Sequence, residues 1–317
     1  MKLRTLLSTT LIVVATTGAA LADGHGDYPN KRIQVLIPFN PGGGVDATGR
    51  LMAAEFEGIL GQDTVVNNVS GAGGTIGATQ LAQSAPDGYT IGVLPIGTAT
   101  TQPHRRELAY NGDSWEEVCL MVKSPLAVLV NPEGKYQTIE ALVNAAKAGA
   151  NVLAAGPPKG SVPHMAQAAL GQAFGAEFTF IPFEGGAGAT KAVLGKEVDF
   201  TVEPFGSGKK LGLKPLIILA PERVADLPDV PSIMEINGSD LDLGIWFGLF
   251  TPKGTPAPIV DTLASACQEA VVQDSFVDGI ANIGWNINFL GKDEFAEFFA
   301  KQYSTNGALL SSLGLAK

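Results

Sequence analysis

The chain has 317 residues, of which 45% are hydrophobic and 16% charged, and its formal net charge is −10. An acidic chain without a basic cluster does not suit nucleic acid or an anionic membrane surface, so we expect neither as a partner. The two cysteines, Cys119 and Cys267, are too few for a zinc cluster, and no Cys-x-x-Cys motif supports redox catalysis.

The N-terminus has the pattern of a secretory signal peptide. Lys2 and Arg4 precede an apolar core at residues 6–15, and Ala20-Leu-Ala22 is a small-x-small cleavage site. We predict export and cleavage after Ala22, because the apolar run is shorter than the roughly 20 residues that cross a bilayer. The remaining chain is long enough for two domains of about 150 residues each. In an exported chain the two cysteines form a disulfide or stay buried as free thiols, and the sequence leaves both open.

The first predicted unit is a strand, a glycine loop and a helix. Ile33–Ile37 is apolar enough for a buried strand, and Pro38 and Pro41 prevent its continuation. The glycines from Gly42 to Gly44 follow, and apolar residues then recur at helical spacing. Bare backbone N–H groups and the positive end of a helix dipole therefore point at one spot, which is a site for an anion.

The same unit recurs three times. The predicted strands are residues 64–69, 151–155 and 177–183, the loops 70–74, 156–161 and 184–188, and the helices 75–84, 162–174 and 189–195. Alternating strands and helices predict a parallel sheet with right-handed crossovers, and ligands bind at the carboxyl ends of such strands. A glycine after a strand often serves only the turn. Four such loops, two in the first third and two in the middle, favour one shared cleft.

The rest of the chain adds further strands and a helical end. The predicted strands are residues 89–94, 126–130, 198–202, 216–220 and 243–250, and the predicted helices are 139–148, 258–271, 276–283 and 294–310.

Known catalytic motifs are missing from the sequence. Gly42 to Ala47 matches G-x-G-x-x-A, but the next predicted strand ends at Asn67-Asn68 without the acidic residue that a dinucleotide needs. No P-loop, G-x-S-x-G or H-E-x-x-H motif is present. His164, in the first turn of its predicted helix, donates to a ligand or caps the helix, and Asp46 is a ligand contact or an N-cap. We therefore predict no enzyme, no metal and no cofactor.

With these units in place, the sequence resembles the Bug family, the TctC-type periplasmic receptors of tripartite tricarboxylate transporters. The matching residues occur in order over nearly the whole mature chain: Tyr28-Pro29 with residues 33–39, Gly42-Gly-Gly44 with Asp46, Gly71-Ala-Gly-Gly74 with Gly77, Pro86-Asp-Gly-Tyr89, Gly160-Ser161 with His164, Pro182-Phe183 with Gly185-Gly186, Leu194-Gly195 with Val198-Asp199, Pro228 with Pro231, and Trp246 with Pro252 and Gly254-Thr-Pro256.

The resemblance implies a type II periplasmic binding protein of the α/β class, with two lobes, a hinge crossed twice by the chain and a ligand cleft between the lobes. Mapped onto this sequence, lobe 1 is residues 28–123 and 247–317, and lobe 2 is residues 124–246. The implied function is to bind a small organic carboxylate in the periplasm, as a monomer, and to deliver it to membrane transporter subunits. The alternatives are a ligand sensor for a signalling receptor and an exported α/β hydrolytic enzyme that uses His164 with Asp46 or Glu203.

The resemblance also implies a set of ligand contacts. They are Phe39, Gly43, Gly44, Asp46, Gly73, Gly74 and Thr98 from the first lobe, and Ser161, His164, Phe183, Gly185, Gly186 and Glu203 from the second. Glycine amides hold a carboxylate through charge-assisted hydrogen bonds. The two phenylalanines cover the apolar middle of the ligand or pack in the core. Glu184 stands where the family often has lysine, so we predict a monocarboxylate, a dicarboxylate with one buried end, or an aromatic or amine-bearing acid, and weak binding of citrate.

Overall fold

The computed structural model describes residues 28–183, 185–225 and 227–317, with all side chains in these ranges except those of Ser207, Lys209 and Lys210. The predicted signal peptide and the prediction made for Glu184 lie outside the described residues.

The described chain alternates strands and helices. The strands are β1 (Ile33–Ile37), β2 (Thr64–Asn68), β3 (Thr90–Pro95), β4 (Trp115–Val130), β5 (Leu153–Gly156), β6 (Thr179–Pro182), β7 (Phe200–Pro204), β8 (Lys214–Ile218), β9 (Gly244–Pro252) and β10 (Ile287–Leu290). The helices are α1 (Gly44–Leu60), α2 (Thr75–Ala82), α3 (Gln102–Arg105), α4 (Ile139–Lys147), α5 (Val162–Phe174), α6 (Gly185–Leu194), α7 (Phe205–Lys210), α8 (Ile233–Asn237), α9 (Ala257–Ala270), α10 (Asp274–Asn282) and α11 (Lys292–Ser312). A 3₁₀ turn, Ala72–Gly74, precedes α2, and a π-helical turn, Gly97–Thr101, precedes α3.

One long strand, β4, is shared by two groups of strands. In the first group β2, β1 and β3 are parallel, and β9 runs antiparallel between β3 and the first part of β4. In the second group the last part of β4 pairs antiparallel with β7 and β8, and β7, β5 and β6 are parallel. The chain therefore passes between the groups along β4 and returns at the start of β9, where Gly244 pairs with Pro125. The predicted α/β architecture is confirmed, whereas the exact residues that divide the lobes stay a prediction.

Several elements differ from those predicted. Only residues 126–130 of the 16-residue β4 were expected, because Glu116, Glu117 and Lys123 interrupt its apolar pattern. The loop predicted at residues 184–188 is largely helical, since α6 already begins at Gly185. The helical end contains a strand, β10, which pairs with β4. The short helices α7 and α8 were not expected.

The core is built from the apolar faces of these elements. Helices α1, α9 and α10 pack on the first group of strands, with Phe56, Leu263 and Phe276 fully buried there. Cys119 of β4 and Cys267 of α9 form a disulfide in the same core, so the first of the two alternatives for the cysteines is the one realised. Among the described helices, none combines the length and apolar character that a membrane crossing requires.

Candidate ligand-binding site

A cavity of about 370 Å³, called the inter-strand cavity below, lies between the two groups of strands. It collects the segments after the carboxyl ends of β1, β2, β3 and β5, together with the start of β9 and the segment that joins α10 to β10. Its lining residues are Phe39, Gly44, Val45, Gly73, Pro95, Ile96, Gly97, Thr98, Thr101, Gln102, Gly160, Ser161, Val162, Pro163, Ile245, Phe247 and Trp285.

The N-termini of two long helices line this cavity, one following β1 of the first group of strands and one following β5 of the second. Gly44 and Val45 of the 17-residue α1 line it, and so do Ser161 and Val162 at the start of the 13-residue α5. The first N–H groups of a helix have no intrahelical partner and carry its positive dipole end. The N-cap of α1, Gly43, supplies no side-chain hydrogen bond, so these groups are left for another acceptor.

Among the described residues that line the cavity there is no Asp, Glu, Lys, Arg or His. Three aromatic rings, those of Phe39, Phe247 and Trp285, form much of the wall instead, and the last two rings have centroids 4.8 Å apart at 47°. Helix dipoles are therefore the main source of positive potential among the groups that line the cavity, and they act in apolar surroundings where electrostatic interactions are strong.

Glycine is required at one point of the second loop. Gly74 has φ 88°, a backbone conformation that residues other than glycine rarely adopt. A Cβ atom there would lie 2.9 Å from Cε2 of Phe39 and would also collide with the Thr98 hydroxyl, which donates to the carbonyl of Gly73 at 3.0 Å. The absence of a side chain lets the loops after β1, β2 and β3 approach one another at the cavity.

Asp46 stabilises the first glycine loop through side-chain hydrogen bonds. Its buried carboxylate accepts hydrogen bonds from the Gly42 N–H at 2.9 Å, from Arg50 Nε at 3.0 Å and from Asn68 Nδ2 at 2.8 Å. Burial by itself would raise its pKa, but these hydrogen bonds and the charge of Arg50 outweigh burial and hold the pKa below its usual value. The same Asn68 amide donates to the carbonyl of Phe39 at 2.9 Å. Asp46 thus fixes the loop that carries Phe39 and Gly44.

His164 points away from the inter-strand cavity. Its Nδ1 accepts the Gly160 N–H at 3.1 Å, and its ring packs against Phe180 with centroids 4.4 Å apart. Burial, followed by the charges of Lys159 and Arg105, lowers its pKa, so the imidazole is neutral at pH 7. The ring lines a separate cavity of about 570 Å³ near the C-terminal end of the chain.

Glu203 is buried at the end of β7, with only 6% of its surface exposed. Its Oε1 has no hydrogen-bond partner among the described residues, and a Cβ atom at Gly186 would lie 2.8 Å from the carboxyl carbon. Burial raises its pKa to about 8, so the carboxyl is neutral at pH 7.

The predicted contacts therefore fall into three groups. Phe39, Gly44, Gly73, Thr98 and Ser161 line the inter-strand cavity. Gly43, Asp46 and Gly74 belong to the same glycine loops but are not among its lining residues, and neither are His164, Phe183, Gly185, Gly186 and Glu203. That any of the thirteen touches a ligand stays a prediction.

Sequence reasoning missed several lining residues. Thr101 and Gln102 follow the predicted Thr98 on one helical stretch, so a helix predicted after β3 would have indicated them. Ile245, Phe247 and Trp285 come from distant segments, and only the fold brings them to the loops.

The rival catalytic arrangement is not assembled. Within the described residues, His164 bonds to the backbone of Gly160, Asp46 is saturated by its three donors, and Glu203 lies against Gly186. None of the three is a hydrogen-bond partner of another, so the described geometry supplies no acid–base pair.

Comparisons with known proteins agree with this description. Residues 48–315 match the model of the tripartite tricarboxylate transporter family receptor. BugT of Bordetella pertussis is 29% identical over 313 residues, which cover 95% of each chain. A TctC solute-binding protein from Polaromonas, solved without ligand, is 27% identical with a TM-score of 0.82, covering 90% of this chain and all of the other.

A liganded structure is also similar. MatC from Rhodopseudomonas palustris, solved with bound malate, is 28% identical with a TM-score of 0.70, covering 89% of this chain and all of MatC. The predicted two-lobed fold and the resemblance to the Bug proteins are both confirmed. The chain belongs to the receptor family of the tripartite tricarboxylate transporters and is a periplasmic-type solute receptor.

Proposed function

We propose that this receptor binds a small organic monocarboxylate or dicarboxylate in the inter-strand cavity and delivers it to a tripartite tricarboxylate-type transporter. The observation that carries the proposal is the convergence of the α1 and α5 N-termini on a cavity whose described lining residues have no charged side chains. A carboxylate in this place accepts charge-assisted hydrogen bonds from backbone N–H groups. The malate bound to MatC, a similar protein, supports a small carboxylate as the ligand class.

Lobe closure is the motion that the topology supports. The two halves, residues 28–123 with 247–317 and residues 124–246, are connected where β4 and β9 pair beside Pro125. A part-buried ion pair, Lys123 Nζ with Asp242 at 2.7 Å, lies at the same crossing. Bending there narrows the cavity, removes water and strengthens the hydrogen bonds to the ligand. Small-angle scattering tests this, since ligand should reduce the radius of gyration.

Binding is tested by a thermal-shift screen of organic acids followed by calorimetry, because a ligand that binds the native state raises its melting temperature. Gly97→Leu adds a side chain at the cavity wall, where a Cβ meets no atom within 4 Å, and should abolish the shift without unfolding the protein. The matched control is Gly58→Leu, at an open position of α1, which should bind as the wild type does. Equal binding by both variants would show that the ligand lies elsewhere.

Delivery and processing need tests in the cell. A deletion strain should lose uptake of the bound acid, whereas loss of a transcriptional response with uptake intact would indicate the sensor role. N-terminal sequencing of the exported protein should begin at Asp23, and light scattering should give the mass of a monomer.

A further inference from the structure

The cavity contains the groups to bind one carboxylate but not two. Its lining has the uncapped N-terminus of α1, beginning at Gly44, and the N-terminus of α5. The latter offers fewer free N–H groups than α1, because Pro163 has none and Ser161 accepts that of His164 at 3.3 Å. A second carboxylate would have to leave water for a wall whose described residues include no cationic side chain, which is costly because its charge stays unpaired.

Two arginines at the edge of the cavity do not change this count. Arg106 donates to the carbonyl of Ala72 at 3.4 Å and is not among the lining residues. The guanidinium of Arg105 packs against Gly160 and donates to the carbonyl of Lys159 at 3.3 Å, and Arg105 is not among the lining residues. It joins the segments after β3 and β5 and is half-buried there.

The shape and chemistry of the wall favour a flat apolar body. The rings of Phe39, Phe247 and Trp285 line the cavity, and aliphatic Ile96 and Ile245 complete the apolar surface. Aromatic rings pack well on one another in offset or edge-to-face arrangements. A volume of about 370 Å³ lies at the lower end of the usual range for small-molecule sites, so it suits one ring with short substituents.

A neutral polar group lies on the same wall. The carboxamide of Gln102 packs over Gly73, where a Cβ atom would lie 2.9 Å from Nε2, and its Oε1 has no partner among the described residues. The neighbouring Thr101 hydroxyl likewise has no partner, whereas those of Thr98 and Thr100 both donate to backbone carbonyls. An uncharged substituent such as a hydroxyl can both donate to and accept from such groups.

We propose that the preferred ligand is an aromatic monocarboxylate with an uncharged polar substituent, which the α1 N-terminus binds by its carboxylate, the three aromatic side chains by its ring and Gln102 by its substituent. This rests on the proposed carboxylate-receptor function and narrows it, with Gln102 and Trp285 as the residues that determine specificity. Straight-chain dicarboxylates such as malate and adipate then bind weakly.

A matched series of acids tests the inference by calorimetry. Benzoate, 4-hydroxybenzoate and terephthalate share one ring and differ only in the para substituent, while hexanoate keeps the single charge without the ring. We expect 4-hydroxybenzoate to bind more tightly than benzoate, and terephthalate, malate and hexanoate to bind at least about tenfold more weakly than benzoate. Tighter binding of any dicarboxylate than of benzoate overturns the inference, and so does equal binding of hexanoate and benzoate.

Variants separate the roles of the wall residues. Gln102→Leu should lower the affinity for 4-hydroxybenzoate more than the affinity for benzoate, while Trp285→Ala should weaken both aromatic acids about equally; equal losses for the two acids in Gln102→Leu would refute the role given to Gln102. The control is Gln80→Leu, an exposed position on α2, which should change neither affinity. Arg105→Gln should also leave the affinity for the monocarboxylates unchanged. If this variant loses binding of a dicarboxylate that the wild type binds, Arg105 binds the second carboxylate and the proposal is refuted. If no acid in the series or in the wider screen binds, the receptor function itself fails rather than the specificity.

Discussion

Replacing Asp46 with alanine should destabilise the protein and weaken ligand binding together. The change leaves the Gly42 N–H without its acceptor and removes one of the two acceptors of Asn68 Nδ2, and each lost hydrogen bond at these part-buried sites costs about 1 kcal/mol. The ion pair adds less, because the side chain of Arg50 is 49% exposed and therefore screened by solvent. The expected loss in the free energy of unfolding is about 2 kcal/mol, which corresponds to a fall in Tm of roughly 4–8 °C.

The matched control is Asp63→Ala. Asp63 also pairs with one arginine, Arg32 at 3.6 Å, but both side chains are well exposed, at 73% and 64%. This variant should stay within about 0.5 kcal/mol of the wild type in urea denaturation. Because Asn68 also holds the carbonyl of Phe39, only Asp46→Ala should reduce ligand affinity as well. Equal stability of the two variants would refute the role given to the Asp46 network.

The pH dependence offers a second check on Asp46. Its pKa is lowered on folding, so its contribution to stability is complete above the unfolded value of about 3.9 and is lost as the pH falls through the lower folded value. Asp46→Asn should therefore lose less stability than the wild type on acidification below pH 4, as chemical denaturation at a series of pH values would show. A parallel acid loss in both proteins would contradict the assigned pKa direction.

Three further predictions concern stability. Because folding raises the pKa of Glu203 to about 8, the stability of the wild type should fall as the pH rises from about 5 to 8, by up to about tenfold in the folding equilibrium per pH unit. Glu203→Gln should remove this fall, and an unchanged pH dependence in urea denaturation would refute the burial argument. Replacing Cys119 and Cys267 by serine should cost about 2–4 kcal/mol, since the disulfide closes a loop with a sequence separation of 148, and an unchanged Tm would contradict this. Gly74→Ala should lower the Tm and abolish ligand binding through its collision at the cavity, whereas Gly61→Ala, which has positive φ but open space, should lower the Tm only; matching losses of binding would refute the packing argument.

Much of the fold could be predicted from local pattern. Runs such as Ile33–Ile37 are apolar because parallel strands are covered on both faces, and glycine and proline mark where they end. The pattern failed where charge interrupts a buried strand. In β4, Glu116 bonds to the Gly254 N–H and Lys123 pairs with Asp242, so tertiary partners stabilise a strand that local pattern does not predict.

The cavity could be predicted only in part. Glycine loops after parallel strands indicated Gly44, Gly73 and Ser161, because the carboxyl ends of such strands meet at one edge. Trp285 had no local signal, since it follows a helix far along the chain and reaches the cavity by packing against Phe247. Sequence spacing also could not show that His164 turns toward Phe180 rather than toward the cavity.

The most direct test is a crystal structure of the protein with the tightest-binding acid from the screen. We expect its carboxylate within hydrogen-bond distance of the first N–H groups of α1, between the loops that carry Phe39 and Ser161 and beside Trp285. A ligand found outside this cavity, or one whose carboxylate is held chiefly by an arginine or lysine side chain, would contradict this expectation.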